Sequence, residues 1–212
     1  MKLKALCVYC GSSPGLGACY VEAAEDFGRL IAAEGITLVY GGGNVGLMGA
    51  LADSVLGAGG KVIGVIPDRL VARDVAHSGL TALHRVGSMH ERKLKMAELA
   101  DAFVALPGGV GTLEEIFEVI TWTQLGIHAK PCAFLNVEQY YAGLFQFLDH
   151  MAEQRFIKKE HLGSVLRGDD PRDLLSKLRN YTPALIDKWM DRKPKELGEH
   201  PTTNIQRPTS ND

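Results

Sequence analysis

The feature of this sequence that most constrains its fold is the alternation of short apolar runs with longer segments of helical period. Five runs of strand length occur, namely Lys4–Cys10, Ile36–Tyr40, Lys61–Ile66, Asp101–Leu106 and Pro131–Leu135. Several are apolar at nearly every position, which is typical of strands buried on both faces of a parallel sheet. We therefore expect an α/β fold, with helices on both faces of a doubly wound, mostly parallel, Rossmann-like sheet.

Two further segments, Thr81–Val86 and Leu162–Leu166, are weaker strand candidates. Between the strands, apolar residues recur at intervals of three or four, which predicts amphipathic helices. We expect the first helix to end at Gly35, because glycine readily adopts the left-handed conformation that closes many helices. Asp170 followed by Pro171 predicts the start of a later helix, with the aspartate as its N-cap.

The chain has 212 residues, of which 46% are hydrophobic and 23% are charged. This size and composition favour one compact domain, which we place at residues 1–182. Residues 193–212 contain three prolines and only two large apolar residues, Leu197 and Ile205. We therefore expect a disordered polar tail over residues 193–212.

The net charge of −2 gives no basic surplus for binding nucleic acid or an anionic membrane. The longest apolar runs fall far short of the ~20 residues that cross a bilayer. The first residues also lack the apolar segment of a secretory signal. We therefore expect a cytoplasmic protein without nucleic-acid or membrane partners.

The four cysteines include a Cys7-x-x-Cys10 pair, a spacing found in redox and zinc sites. Here the pair lies in a predicted strand, where positions three apart point to opposite faces. We therefore expect reduced, inert core thiols.

Two glycine clusters directly follow strands and open helices. The first is Gly41–Gly49 and the second is Pro107–Glu115. A helix that begins after such a cluster presents free backbone N–H groups and the positive end of its dipole to an anion. We therefore expect phosphate to bind at these clusters.

The first cluster also contains Gly41-x-Gly43-x-x-Gly46, the pattern of dinucleotide-binding proteins, with Asp68 placed for a ribose contact. In those proteins the pattern closes the first strand, whereas here it closes the second. An NAD-dependent oxidoreductase and a purely structural glycine turn remain alternatives.

The segment Gly11–Gly15 matches the nucleophile elbow G-x-S-x-G of hydrolases, with Ser13 as the nucleophile. Pro14 lacks the N–H group that would complete the oxyanion hole after that serine. We therefore favour a phosphate or base contact from Ser12 over a catalytic triad.

Two stretches of sequence have the spacing of a capping box, in which a glutamate serves the start of its own helix. They are Thr112-x-x-Glu115 in the second cluster and Ser88-x-x-Glu91 before it. For Glu115, a capping role and a chemical role are both open. In either role, a place in the first helical turn predicts a low pKa for its carboxyl group.

A strand order of 3-2-1-4-5, counted over the five main strands, would bring the Gly11–Ser12 loop and the Pro107–Thr112 loop together at the crevice where ligands bind in such sheets. The helix that carries Arg92 and Lys93 leads into the fourth strand, so these cations would reach the same opening. Backbone N–H groups, an arginine and a carboxylate together would suit a phosphorylated sugar.

Pro107–Glu115 resembles the PGGxGTxxE signature of the LONELY GUY (LOG) family of cytokinin riboside 5′-monophosphate phosphoribohydrolases. Met89–Lys93 resembles a second motif of that family, Gly41–Gly49 resembles a third, and the similarity extends from about Leu3 to Leu178. The resemblance implies hydrolysis of the N-glycosidic bond of cytokinin or adenine-type nucleoside 5′-monophosphates. A general AMP or nucleoside-monophosphate nucleosidase and a non-catalytic nucleotide or cofactor carrier of the same fold remain alternatives.

The resemblance further implies that Arg92 and Glu115 are catalytic. The candidate substrate-binding residues are Ser12, Gly42, Gly43, Asp74, Met89, Arg92, Lys93, Gly108, Gly109, Val110, Gly111, Thr112, Glu115 and Thr121. Asp74 stands where the family usually has glutamate. We expect no cofactor and no metal. The helix after the second cluster is apolar on nearly every side, which together with the resemblance favours a homodimer.

Overall fold

The computed structural model describes residues 2–71 and 76–183. Within these ranges, seven parallel strands form one sheet in the order β4-β3-β2-β1-β5-β6-β7. The strands are β1 (Ala5–Tyr9), β2 (Thr37–Tyr40), β3 (Val62–Pro67), β4 (Ala82–Val86), β5 (Ala102–Ala105), β6 (Cys132–Leu135) and β7 (Val165–Gly168). The predicted α/β class is confirmed.

Helices connect the strands and cover both faces of the sheet in the part of the chain that the structure describes. They are α1 (Ala18–Ala33), α2 (Gly46–Gly57), α3 (Asp68–Val71), α4 (Met89–Leu99), α5 (Val110–Gln124), α6 (Ala142–Glu153), α7 (Lys159–Gly163) and α8 (Pro171–Arg179). A single 3-10 turn, Val137–Gln139, precedes α6. None of the helices in the described ranges is long and apolar enough to cross a membrane.

The five main strands have the predicted order, and the two weaker candidates form the edges of the sheet. The candidate at Thr81–Val86 is β4, while the one at Leu162–Leu166 becomes β7 only from Val165 onward, because Lys159–Gly163 forms α7. β1 pairs with β2 on one side and with β5 on the other. The chain therefore reverses its direction of winding between β1 and β5, and the loops after these two strands lie side by side.

Two apolar layers explain why the strands are apolar on both faces. Leu6 and Val8 of β1 contribute to a layer formed with α1, α2 and α8, whereas Cys7 and Tyr9 contribute to a layer formed with α4 and α5. Cys10 belongs to the first layer, so the Cys7-x-x-Cys10 thiols do face opposite ways. All four cysteines are free; Cys7, Cys10 and Cys132 are buried, and Cys19 is partly buried.

The predicted helix boundaries are confirmed where a specific residue sets them. Gly35 follows α1 with a φ of 65°, and the Asp170 carboxylate accepts a hydrogen bond of 2.8 Å from the N–H group of Asp173 at the start of α8. Two predictions lie outside the described residues: the disordered tail at residues 193–212 and the substrate contact of Asp74.

Candidate active site

An ion pair between α4 and α5 forms the centre of the candidate site. Arg92 Nη1 lies 3.2 Å from Glu115 Oε1, and Arg92 Nε donates a hydrogen bond of 3.1 Å to the carbonyl of Val65 near the end of β3. The two side chains are 11% and 13% exposed. The pair is therefore shielded from bulk water, which strengthens its electrostatic effect, yet it is not sealed from a ligand.

The Arg92 guanidinium fits because the residue after β2 is a glycine. A Cβ atom on Gly41 would collide with Arg92 Nη2. On its other side, Arg92 Nη1 lies 3.9 Å from Met89 Sδ. Sequence analysis selected Gly42 and Gly43 but not Gly41, although all three glycines stand in the same cluster. The structure thus brings Arg92, Glu115 and Met89 together, with Gly41 providing the space.

The start of α5 differs from the predicted one. Gly109 is its N-cap, and no side chain caps the helix, so Thr112 lies inside the first turn and Glu115 in the second. The capping-box interpretation of Thr112 and Glu115 is therefore wrong. The spacing of the box is present, but the glycines allow the helix to begin earlier, and Thr112 packs against Gly108.

The predicted low pKa of Glu115 is also wrong. Burial raises the pKa of this carboxyl group above its usual value, and the Arg92 cation beside it acts in the opposite direction. A carboxylate in the second turn gains less from the helix dipole than one in the first. Glu115 is therefore a carboxylate of raised basicity held beside a cation, which suits it to stabilise positive charge or to accept a proton from water.

The other capping box is confirmed and sets the position of Arg92. Ser88 Oγ accepts a hydrogen bond of 3.1 Å from the N–H group of Glu91, and Glu91 Oε2 accepts one of 3.0 Å from that of Gly87. These bonds fix the start of α4, one turn before Arg92.

Lys93 follows Arg92 in sequence but does not contact the Glu115 carboxylate. Successive helical residues are about 100° apart around the axis, so Lys93 meets a different part of α5. Its Nζ lies 2.5 Å from Glu114 Oε1 and 3.1 Å from Glu118 Oε1. The substrate contact of Lys93 stays a prediction.

The predicted approach of the loops after β1 and β5 is confirmed. The N–H group of Gly11 donates a hydrogen bond of 3.0 Å to the carbonyl of Pro107. The loops enclose a cleft of about 230 Å³, whose lining includes Ser12, Leu47, Gly108, Gly109 and Tyr140. Sequence analysis did not select Leu47 or Tyr140 as candidate site residues. Arg92 and Glu115 do not line this cleft.

The first turn of α5 begins at the rim of the cleft. Val110 is 83% exposed, and Gly109 and Gly111 are also exposed, whereas Thr112 is buried. The first N–H groups of a helix have no partner within it, so this turn offers donors to an anion at the surface.

Gly42 and Gly43 lie against residues 76 and 77. The N–H group of His77 donates a hydrogen bond of 2.9 Å to the Gly42 carbonyl, and Gly43 forms an isolated antiparallel bridge with Ala76. Asp68, the ribose contact of the NAD alternative, has its carboxylate 2.7 Å from Arg85 Nε.

Thr121 lies farther along α5 than Glu115 and is not brought to the ion pair. Its hydroxyl donates a hydrogen bond of 2.7 Å to the Phe117 carbonyl. The residue lines a different cavity, of about 410 Å³, together with Met151 and Phe156. Its substrate contact also stays a prediction.

Comparison with known proteins finds the family that the sequence motifs resemble. A family model described as "possible lysine decarboxylase" matches residues 48–178. Cytokinin riboside 5′-monophosphate phosphoribohydrolase of Rhodococcoides fascians is 49% identical over 178 residues, which are 84% of this chain and 90% of the relative. The enzyme of the same name from Oryza sativa subsp. japonica, called LOG, is 43% identical over 208 residues, which are 96% of this chain and 85% of the relative.

The fold also occurs in solved structures. The molybdenum cofactor binding protein of Rippkaea orientalis superposes with a TM-score of 0.64 at 22% identity, over 84% of this chain and 97% of that one. At this level of identity, the likeness concerns the fold alone.

The description "possible lysine decarboxylase" raises the question of pyridoxal phosphate, the usual cofactor of amino-acid decarboxylation. Such a cofactor is held by a lysine amine. Lys93 is the one buried lysine among the described residues, and Glu114 and Glu118 hold its ammonium group in ion pairs. The buried lysine of the described residues therefore does not fit the cofactor. The family match and the identity to the named enzymes show that the chain belongs to the LOG family of cytokinin riboside 5′-monophosphate phosphoribohydrolases.

Proposed function

We propose that this protein hydrolyses the N-glycosidic bond of cytokinin or adenine-type nucleoside 5′-monophosphates to the free base and ribose 5-phosphate. The observation that carries the proposal is the shielded ion pair of Arg92 on α4 with Glu115 on α5, the helix whose first turn follows the glycine loop after β5. The names of relatives at 43% to 49% identity support the same substrate class.

The reaction replaces a C–N bond by a C–O bond. Water adds its oxygen to the anomeric carbon, the electron pair of the broken bond leaves with the base, and the base takes up a proton. Because positive charge develops on the ribose ring before the new bond is complete, a fixed carboxylate stabilises the transition state more than the ground state. In this proposal Glu115 faces the anomeric carbon and stabilises that charge, orients the water, or both.

The Arg92 cation favours the ionised form of Glu115. Burial by itself favours the neutral acid, and a neutral carboxyl group would lose most of its interaction with a cationic ring. The Val65 carbonyl and Glu115 hold the guanidinium from two sides, so it has little freedom to turn away. The positive charge of the guanidinium also offsets the combined negative charge of the substrate phosphate and the Glu115 carboxylate.

In this proposal the substrate's 5′-phosphate binds at the glycine loop and the first turn of α5, from Gly108 to Thr112. Exposed N–H groups and the helix dipole favour an anion at that position. Ser12 also lines the cleft, and its hydroxyl group is a side-chain donor for such a ligand. Phosphate binding then positions the ribose for attack, which converts remote binding energy into turnover.

Incubation with AMP and with isopentenyladenosine 5′-monophosphate, followed by chromatography for free base, tests the proposal. Release of the base from the isopentenyl substrate in preference to adenine from AMP supports a cytokinin-activating enzyme. Equal or preferential release of adenine supports a general nucleoside-monophosphate nucleosidase. Binding without release of any base contradicts the proposal and favours a non-catalytic nucleotide or cofactor carrier.

We also propose that the protein is a cytoplasmic homodimer. Leu125, Ile127 and Phe156 are 47%, 64% and 85% exposed, and lie at or after the ends of α5 and α6. Exposed large apolar side chains of this kind favour association. Free, mostly buried thiols are consistent with a reducing compartment. Sedimentation equilibrium tests the oligomeric state, and a protein that stays monomeric at micromolar concentration would contradict the homodimer.

A further inference from the structure

Three successive carbonyl groups immediately before α5 each accept a hydrogen bond from another part of the chain. The Leu106 carbonyl accepts a hydrogen bond of 2.6 Å from Tyr141 Oη, and the Pro107 carbonyl accepts one of 3.0 Å from the Gly11 N–H group. The Gly108 carbonyl accepts one of 2.8 Å from Tyr140 Oη. Each of these three peptide planes, from Leu106 to Gly109, is therefore held by a hydrogen bond at its carbonyl group.

The orientation of the last plane matters most for an anion. In a planar trans peptide, the carbonyl and the following N–H group point in opposite directions. A Gly108 carbonyl held by Tyr140 thus directs the Gly109 N–H group away from Tyr140. Gly109 is exposed, and a Cβ added there would meet nothing within 4 Å, so the Gly109 end of this peptide has open space around it, whereas Gly108 packs against Thr112.

We propose that Tyr140 is a positioning residue, whose hydroxyl group sets the Gly108–Gly109 peptide for binding of the substrate's phosphate. This inference rests on the proposed function. Without the hydroxyl, the peptide can rotate between two glycines that have no side chains to oppose the rotation. The Gly109 N–H group would then no longer be fixed for an anion, and the affinity for phosphate would fall.

The position of Tyr140 is itself closely determined. Its ring makes edge-on contacts with Tyr20, at 5.7 Å between centroids, and with Tyr141, at 5.0 Å. The two residues before it, Glu138 and Gln139, have positive φ angles of 48° and 57°. Non-glycine residues adopt this conformation only where the surrounding structure imposes it, and such residues cluster at functional sites.

A buried asparagine supports this strained turn. Asn136 Oδ1 accepts a hydrogen bond of 2.8 Å from the Tyr141 N–H group, and its amide nitrogen donates to Gln139 and Asp169. The turn therefore places the hydroxyl groups of Tyr140 and Tyr141 within hydrogen-bond distance of the Gly108 and Leu106 carbonyls. Tyr141 is 2% exposed and belongs to the core, whereas Tyr140 is 44% exposed and contacts the cleft.

The test is the Tyr140→Phe variant, which removes the hydroxyl group and keeps the ring contacts. We expect the dissociation constant of AMP and the inhibition constant of inorganic phosphate each to rise roughly fivefold to tenfold, as for a hydrogen bond that orients a charged contact. Binding of adenosine, which lacks phosphate, should not change. In the base-release assay the KM for AMP should rise more than kcat falls.

Tyr181→Phe is the matched control, because it also removes a tyrosine hydroxyl, in this case one that interacts with Ser164 outside the loop. It should leave AMP, phosphate and adenosine binding as in the wild type. Thermal melting of both variants checks the fold. Equal weakening of AMP and adenosine in Tyr140→Phe, or no change in either, would overturn the inference. Binding is measured separately from base release, so absence of release would count against the proposed function alone.

Discussion

Arg92 and Glu115 stand 23 positions apart in sequence, yet Nη1 of one lies 3.2 Å from Oε1 of the other. Each comes from a different helix, and both helices pack on the same face of the sheet. The contact depends on three independent features: the Ser88 cap that starts α4, the Gly109 N-cap that starts α5, and the space at Gly41. A change in any of these three features should lower the rate of base release more than it lowers the stability of the fold.

Gly41→Ala tests the space that Arg92 occupies. The backbone at Gly41 has no positive φ angle, so alanine is allowed there, but its Cβ would displace the guanidinium. We expect base release to fall at least ~10-fold with a retained melting profile, since small misplacements of catalytic groups cost up to ~10²-fold. Gly57→Ala, where a Cβ would meet nothing within 4 Å, is the control. Wild-type activity in Gly41→Ala would show that the position of Arg92 is unimportant.

Lys93 should behave as a brace between α4 and α5. It is 9% exposed and is paired with Glu114 and Glu118, so a double-mutant cycle of Lys93→Met with Glu118→Gln should give a coupling of about 1 to 3 kcal/mol in the free energy of unfolding. Lys95→Met removes a lysine of the same helix from its exposed pair with Glu98, and should cost much less. If Lys93→Met instead weakens AMP and not adenosine, without lowering stability, Lys93 is a phosphate ligand.

Removal of the substrate's 5′-phosphate should lower both affinity and turnover. In the proposed mechanism the phosphate holds the ribose in place over Glu115, so its loss should reduce kcat as well as raise KM. We expect kcat/KM for adenosine to be at least ~10-fold below that for AMP, measured as adenine release at saturating and limiting substrate. An unchanged kcat would mean that the phosphate contributes to binding only.

The sequence is sufficient to predict the fold class, because strands that are buried on both faces are apolar at nearly every position. Apolar runs located the five central strands, and the order 3-2-1-4-5 that is usual for doubly wound sheets is the order they have. The edge strand β7 was placed three residues early, because Leu162 is apolar yet belongs to α7. Periodicity alone does not separate a short buried helix from a short strand.

The candidate site was harder to predict from sequence than the fold. Local spacing gave the Ser88 cap correctly, but the same spacing at Thr112 and Glu115 was misleading, because any of several glycines can begin α5. The Lys93 pairs and the collision of a Gly41 side chain with Arg92 depend on how helices meet in space. The raised pKa of Glu115 follows from burial, which a motif does not encode.

His128 gives the stability of the protein a dependence on pH. Burial, and secondarily Lys130, lowers the pKa of His128 to about 4. Its Nδ1 accepts a hydrogen bond of 3.2 Å from the Lys130 N–H group, and its Nε2 has no hydrogen-bond partner among the described residues. The unfolded chain binds a proton at this residue near pH 6.5, whereas the folded protein does so only near pH 4. The stabilisation is therefore complete above pH 6.5 and is lost as the pH falls toward 4.

His128→Asn keeps an acceptor in the place of Nδ1 and removes the titration. We expect the melting temperature of the wild type to fall more steeply than that of the variant between pH 6.5 and 4. His150→Asn, at a histidine whose side chain is 59% exposed, should follow the wild-type curve. Parallel curves for all three proteins would exclude a role for His128.

The most direct measurement is the rate at which Glu115→Gln releases free base from its best nucleoside 5′-monophosphate. Glutamine keeps the size of the side chain but not its charge, so we predict a fall of at least ~10² in kcat, with a circular-dichroism spectrum like that of the wild type. Glu114→Gln, on the neighbouring residue that pairs with Lys93, should retain most of the activity. A Glu115→Gln protein with wild-type turnover would contradict the account.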